Sequence, residues 1–395
     1  MRDLRNGRSE PRAGGNQALV LRPPFRCPVA VHDGAALDEV IGPAIAGRDW
    51  ALVTSRSWAD RNFDARIAAI AGSPAAVISN IDPNPLISRM PLLSEEIPDV
   101  SVVVALGGGS VLDATKGMVA LKALRGDMSP LLDHLSEGAA LPAKILPIPI
   151  IAVPTTAGTG SEVTPWGTLW GDDGTKYSIN DPRLYPSHAI LDPTLTITMP
   201  SELTRSTALD AVSHALEAVW NRRHTIFTDY LAAQAIAQVH KYLPVAEARP
   251  KDIEARGALQ TAALLAGLAM GTTQTALAHS ISYPFTARFG VAHGFACSFT
   301  LAEIARFNQE EDAARLAPVA EALECAVDAV PDTLERWLVA LGVGDVMARH
   351  LSADDIDTFG DSLITPARAA NNLRHADGLI ARQIARRAFE RLTAG

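Results

Sequence analysis

Cysteine is scarce in this chain: three in 395 residues, Cys27, Cys297 and Cys325, far apart and without a CxxC pair. They make neither a disulfide framework nor a zinc ribbon, and a reducing, cytoplasmic setting is expected. Positive charge is also short, 35 Lys+Arg against 44 Asp+Glu, for a formal charge of −9. That balance argues against nucleic acid as a general partner and leaves room for a local basic pocket. No apolar run approaches the roughly 20 residues of a membrane helix, so no membrane partner is expected. Met1 to Asn16 is rich in Arg, Gly and polar residues and has no apolar segment, so no secretory signal is expected there. Residues 1–20 are expected to be a disordered leader.

What remains is ordinary for a folded soluble chain, 48% hydrophobic and 20% charged, and long enough for two cores. Strands are expected at Val29–His32, Trp50–Thr54, Ala75–Ser79, Pro98–Leu106 and Ile150–Pro154, with helices between them. Pro98–Leu106 is continuously apolar, as a strand covered on both faces requires. Alternation of strands and helices predicts an α/β, Rossmann-like, doubly wound amino-terminal half, with short β-like pieces between Val163 and Asp192. From Ser201 onward the apolar spacing is helical, with Ala-rich segments at 207–220, 227–242, 253–270 and 298–306. The boundary is set near Pro200: a nucleotide-binding α/β domain over 21–200, and an all-α metal-binding domain over 201–395.

Two loops follow strands and offer small residues. Gly107-Gly-Gly-Ser110 runs from an apolar strand into a helix, where glycine backbone and free N–H groups suit a pyrophosphate. It is also a plain tight turn. Pro154-Thr-Thr-Ala-Gly-Thr-Gly-Ser-Glu162 likewise follows a strand and offers hydroxyls for phosphate or ribose.

The helical half holds the metal candidates. Asp210 and His214 stand at i and i+4 in Thr207–Trp220, so both leave one helix face. That pair alone reads equally as half of a divalent metal site or as a surface pairing. His279 and His293 follow, and one carboxylate with three imidazoles would leave a coordination position open to substrate. His32, His134, His188, His224, His240, His350 and His375 lack such spacing and are read as structural or surface histidines.

Taken in order, GGGSVLDATK (107–116), PTTAGTGSE (154–162), ILDPTL (190–195), the Asp-x3-His helix and the His279/His293 pair resemble the iron-dependent (group III) alcohol dehydrogenases, over roughly residues 28 to 385. The resemblance implies a cleft holding NAD(P) and a divalent metal, and at least a homodimer. By motif it implies Asp210, His214, His279 and His293 as ligands of Fe(II), or of Zn(II), Ni(II) or Mn(II), with His279 in a catalytic position. It implies cofactor contacts at Gly107, Gly108, Gly109, Ser110, Asp113, Thr155, Thr156 and Lys176. Two positions depart from the pattern. Tyr283 stands where many members carry a second histidine, and either donates a proton or packs. Ser55, followed by Arg56, replaces the acidic residue of NAD-selective members, which implies that NADPH is accepted alongside NADH.

Thr164–Trp170, Lys176–Ile179, Trp220-Asn221, His279–Pro284 and His293–Thr300 are similar to one subgroup, the phosphonoacetaldehyde reductases. This implies reduction of phosphonoacetaldehyde to 2-hydroxyethylphosphonate. Candidates for the anionic head are Asn221, Arg222, Arg223 and Arg288, with Trp166 and Trp170 as walls; any single arginine taken alone reads first as a solvated surface residue. Lactaldehyde, succinic semialdehyde and butyraldehyde are alternative substrates. A dehydroquinate synthase-like lyase using bound NAD, and a non-catalytic metal or nucleotide sensor, are the readings outside this class.

Overall fold

The structure, a computed structural model, describes residues 27–394. The expected leader, residues 1–20, lies outside them. Among the described residues eight strands form: β1 (Ala30–Asp33), β2 (Trp50–Thr54), β3 (Val77–Ile78), β4 (Val102–Gly107), β5 (Ile150–Pro154), β6 (Trp166–Trp170), β7 (Lys176–Asn180) and β8 (His188–Leu191). Six build one parallel sheet in the order β1-β8-β5-β4-β2-β3. The chain leaves β2 toward β3 but leaves β4 toward β5, so adjacent β2 and β4 mark the switch point where such sheets open a crevice. Thr54 pairs with Leu106, and Gly107 with Pro154, which brings the carboxyl ends of three strands level at that crevice.

β2, β4 and β5 are buried along their whole length, with helices on both faces, as their unbroken Val/Ile/Leu/Ala runs require. The strand expected at Ala75–Ser79 is cut to two residues at the sheet edge. The helix expected after β2 splits into Arg56–Ala59 and Phe63–Ala71, because Asn62 takes a left-handed conformation (φ 55°) between them.

β6 and β7 form an antiparallel hairpin apart from the sheet. One face of it, carrying Leu169 and Ile179, is buried against the helix Gly109–Ala123 in the core of the sheet half. Asp113 of that helix accepts from the Thr168 N–H at 2.9 Å and fixes the docking. Side chains alternate along a strand, so Trp166, Thr168, Trp170, Lys176 and Ser178 stand on the opposite face.

Beyond Ser201 every regular element among the described residues is a helix: Ser201–Val219, Ile226–Ala248, Ile253–Thr273, Leu277–Phe289, His293–Ser298 and Leu301–Gln309 lead, and Gly378–Thr393 ends the described chain. Their apolar faces share one core that includes Leu209, Val212, Leu216, Ile236, Ile281 and Phe285. The helix expected at 298–306 is two pieces, broken between Ser298 and Leu301. The chain is therefore a parallel-sheet α/β half followed by an all-helical half, with the hairpin between them.

Candidate metal centre

Asp210, His214 and Glu217 sit at i, i+4 and i+7 of Ser201–Val219 and share its face. Across from them the helix Leu277–Phe289 begins, and its first N–H groups have no partner within the helix. Glu217, fully buried, supplies one. Its Oε2 accepts from Ala276 N–H at 2.8 Å, and its Oε1 from Ala278 N–H at 2.5 Å and His279 N–H at 3.2 Å. The same carboxylate accepts from His279 Nδ1–H at 2.7 Å. With Nδ1 so engaged, the His279 Nε2 lone pair is turned toward Asp210 Oδ1, 3.5 Å away. His214 Nε2 lies 3.7 Å and His293 Nε2 3.9 Å from the same oxygen.

His293 is carried there by close backbone packing. It opens the helix His293–Ser298, whose Gly294 lies so near the first metal-bearing helix that a Cβ would stand 1.7 Å from the Ser206 carbonyl oxygen. Four donor atoms, from Asp210, His279, His293 and Cys297, all lie within 4.8 Å of one another. His214 is outside that tight set; its ring stacks on His279 with centroids 4.5 Å apart. Cys297 Sγ is 3.5 Å from His293 Nε2.

Asp210 Oδ1, His279 Nε2 and His214 Nδ1 are buried and bond to nothing within the protein. Asp210 Oδ1 and His279 Nε2 face each other, and two orphaned polar atoms at one point are costly unless a further group satisfies them; His214 turns Nε2, not Nδ1, toward Asp210. Charge agrees with a cation there. Burial opposes ionisation of Asp210, yet His214, His279 and His293 hold its carboxyl well below the usual carboxylate range. Burial lowers His214 to about 4, partly offset by Asp210. Burial, Lys176, His279 and His214 together keep His293 well below its ordinary value. Burial opposes protonation of His279, yet Cys297, Glu217 and Asp210 hold it well above its ordinary value, so a divalent ion there would take the place of an imidazolium charge beside the carboxylate.

The two glycine-bearing loops that follow β4 and β5 meet at the sheet crevice. A Cβ on Gly108 would touch Thr156 at 3.2 Å, and one on Gly109 would stand 2.5 Å from Thr159 Cγ2. Thr155 N–H donates to the Gly107 carbonyl at 3.0 Å, tying the second loop to the first.

Residues 32–193 match the profile described as iron-containing alcohol dehydrogenase, and 204–377 match that of the Fe-containing alcohol dehydrogenase family, C-terminal. The chain belongs to the iron-containing alcohol dehydrogenases. It is 32% identical to the phosphonoacetaldehyde reductase of Streptomyces viridochromogenes over 357 residues, covering 80% of this chain and 83% of that one. It is 33% identical to a 1-propanol dehydrogenase of Citrobacter freundii, covering 68% of this chain and 69% of the relative. Among solved structures, the sulfoacetaldehyde reductase of Bifidobacterium kashiwanohense in complex with NAD+ superposes with a TM-score of 0.81 at 31% identity, over 93% of this chain and 98% of that one. A 1,3-propanediol oxidoreductase superposes at 0.83 with 26% identity, over 93% and 99%. As a member of this family the protein is an alcohol dehydrogenase or aldehyde reductase.

Within this dehydrogenase the other expected site residues fall in three groups. Ser55 and Arg56 follow β2 at the crevice, with Ser55 Oγ 3.1 Å from Ser57 Oγ. Ser110 Oγ accepts from Asn84 N–H at 3.3 Å. Asp113 faces inward: one oxygen takes the Ser161 hydroxyl at 2.7 Å and the other Thr168 N–H, so its visible role is to hold loop and hairpin to the helix. Lys176 lies over the Tyr283 ring, 4.2 Å from its centre, and Tyr283 stacks on His293 with centroids 6.2 Å apart.

Several expected substrate contacts point elsewhere. Asn221 is buried, donating to the Gln274 carbonyl at 3.1 Å and accepting from Arg223 N–H at 2.9 Å. Arg222 is exposed and reaches the Leu373 carbonyl at 3.3 Å. Arg288 is exposed, bonded to Thr358 Oγ1 at 2.7 Å and lying over Phe289 and Phe359. Arg223 is exposed too. Trp166 and Trp170 stand on the hairpin face away from the sheet core.

Sequence reasoning passes over Glu217, Cys297, Arg368 and a buried group beside the loops. Lys116, fully buried, donates to the Ser161 carbonyl at 2.6 Å, Ser161 Oγ at 2.7 Å and the Trp166 carbonyl at 2.5 Å. The i, i+4, i+7 spacing is the one available signal for Glu217. The histidines read as structural mostly have local partners: His134 accepts from Asn180 N–H, His224 meets Asp229, and His350 meets the Phe289 carbonyl.

Proposed function

We propose that this dehydrogenase reduces a short aldehyde to its primary alcohol with NAD(P)H at a divalent metal, phosphonoacetaldehyde to 2-hydroxyethylphosphonate being its substrate pair. The observation that carries the reading is the pair of buried, unpartnered atoms Asp210 Oδ1 and His279 Nε2, with the His214 and His293 imidazoles beside them. Asp210, His279 and His293 would hold the ion, with His214 and Cys297 flanking. A bound divalent ion supplies Lewis acidity at a carbonyl oxygen.

The protein's own contributions are positional. Glu217 fixes the His279 ring. Gly107, Gly108 and Gly109 admit the cofactor backbone, and Thr155 and Thr156 offer donors across from it. Tyr283, held between the Lys176 ammonium and the His293 ring, is the side chain we place as proton donor to the developing alkoxide. Tyr283→Phe tests that role and should lower kcat more than it raises KM. Ser55 and Arg56 leave no carboxylate to repel a 2′-phosphate, which supports use of NADPH as well as NADH. Similarity to one relative named for phosphonoacetaldehyde and a fold neighbour named for sulfoacetaldehyde supports the substrate.

The test is a panel assay on Fe(II)-loaded protein with NADPH and NADH. Phosphonoacetaldehyde should give a higher kcat/KM than lactaldehyde, succinic semialdehyde or butyraldehyde, with one nicotinamide oxidised per alcohol formed. Turnover without net change in nicotinamide absorbance would instead favour a lyase.

A further inference from the structure

We propose that Arg368 recognises the anionic head of the substrate, with Ser178 and Lys176 completing an oxyanion-binding rim on the outward face of the β6–β7 hairpin. The proposal rests on the aldehyde-reductase reading and adds to it the residues that select for charge.

The hairpin divides its two faces between two tasks. Leu169 and Ile179 bury one face in the sheet half, so Trp166, Lys176 and Ser178 are presented to the helical half. Opposite them lies the short helix Pro366–Ala369. Its approach is fixed at Thr365, whose N–H donates to Ser280 Oγ at 2.6 Å and whose carbonyl accepts from the same hydroxyl at 3.2 Å. Ser280 is the neighbour of His279, so the helix bearing Arg368 is tied directly to the metal-bearing one.

Arg368 lies over Trp166, its Cζ 5.0 Å from the ring centre, and donates to Ser178 Oγ at 3.3 Å. Stacking of this kind holds a guanidinium plane while leaving its N–H edge open for a planar, bidentate acceptor. Among the described residues neither Arg368 nor Lys176 has a carboxylate within ion-pair distance. Of the other arginines considered for this task, all exposed, Arg222 reaches a carbonyl and Arg288 a hydroxyl and aromatic rings away from the hairpin. From the metal outward, His293, Tyr283, Lys176, Ser178, Arg368 and Trp166 form a continuous line. Two half-buried cations, Lys176 over Tyr283 and Arg368 over Trp166, with no carboxylate partner among the described residues, suit a tetrahedral oxyanion, phosphonate or sulfonate, carried by the aldehyde.

The experiment compares wild type, Arg368→Ala and Arg368→Lys on phosphonoacetaldehyde, sulfoacetaldehyde and neutral propionaldehyde. Removing a charge-assisted hydrogen-bonding group should lower the anionic-to-neutral ratio of kcat/KM roughly 10- to 100-fold in the alanine variant, mainly through KM. Lysine should restore part of it. A phosphonate preference over sulfonate in wild type identifies a dianion as the head. If anionic and neutral aldehydes fall together, Arg368 acts on the fold or the site at large and the proposal is overturned. A second readout is independent of turnover: ethylphosphonate or ethanesulfonate should raise the melting temperature of wild type and not of Arg368→Ala. If no aldehyde is reduced but this protection holds, the aldehyde-reductase reading fails and the anion site stands. If neither anion stabilises wild type, the anion site falls.

Discussion

Glu217 offers the sharpest perturbation, because Gln has its shape and reverses half of its hydrogen-bonding sense. In the native site Oε1 accepts from Ala278 and His279 N–H, and Oε2 from Ala276 N–H and His279 Nδ1–H. In Glu217→Gln the new side-chain amide must direct its NH2 at one of those two pairs of donors. Donor then faces donor in a fully buried site. If the NH2 faces His279, the imidazole loses the bond that holds Nε2 toward Asp210. Removing such a support typically costs 10- to 100-fold in metal affinity. Disrupting a fully buried charged pair costs about 3–5 kcal/mol, which in a chain this size lowers the apparent melting temperature by about 4–6 °C. Competition with a calibrated chelator and thermal melts of metal-loaded protein measure both effects. A Glu217→Gln protein with unchanged metal affinity and unchanged melting temperature would refute the assigned role of this carboxylate.

Three further outcomes are expected. Gly109→Ala places a Cβ 2.5 Å from Thr159 Cγ2 and must push the two nucleotide loops apart; NADH affinity by fluorescence titration should fall more than tenfold (~1.4 kcal/mol or more) with metal content retained, and unaltered affinity would remove the loop from the cofactor site. Ser55→Asp should lower kcat/KM for NADPH at least tenfold (~1.4 kcal/mol) relative to NADH, through repulsion of the 2′-phosphate, and an unmoved ratio would show that the cofactor's ribose lies elsewhere. Burial raises the Glu162 carboxyl to about 7, with Lys116 opposing, so the folded protein holds a proton there that the unfolded chain releases near pH 4.5. Its contribution to stability therefore falls as pH rises from about 4.5 to about 7, and is level above. Urea unfolding of Glu162→Gln should show a weaker decline between pH 5 and pH 7 than wild type, and parallel curves would contradict the buried carboxyl.

Much of this arrangement is legible from local pattern. Buried parallel strands announce themselves as unbroken apolar runs, so β2 and β5 fall at the expected positions. The helix bearing Asp210 and His214 reads from 207, yet it begins at Ser201, because its first turn is half-polar and carries little periodicity. Met128–Glu137 escapes such a reading; it carries three charged or imidazole groups and buries only Leu131. Long-range roles are the least visible. Glu217 looks like any helix-face carboxylate until the start of another helix, about sixty residues on, is laid against it. Arg368 gives no local sign of its place, since its meaning comes from a hairpin nearly two hundred residues earlier. Arg222, Arg223 and Arg288 draw attention by nearness in sequence to the metal residues, yet nearness along a helix end or loop does not aim a side chain inward. Cys297 escapes notice when cysteines are judged by their spacing to one another, whereas its neighbours are two histidines.

The central claim is that one divalent ion, held by Asp210, His279 and His293 with His214 alongside, is required for aldehyde reduction. The most direct measurement follows nicotinamide oxidation on phosphonoacetaldehyde as the protein is stripped by chelator and reloaded with Fe(II), beside a His279→Ala variant whose nucleotide binding is measured separately. Wild-type turnover should vanish on stripping and return on reloading with one ion per chain. His279→Ala should bind nucleotide yet remain inactive at any metal concentration. Full activity in the stripped protein, or in metal-free His279→Ala, would contradict the account.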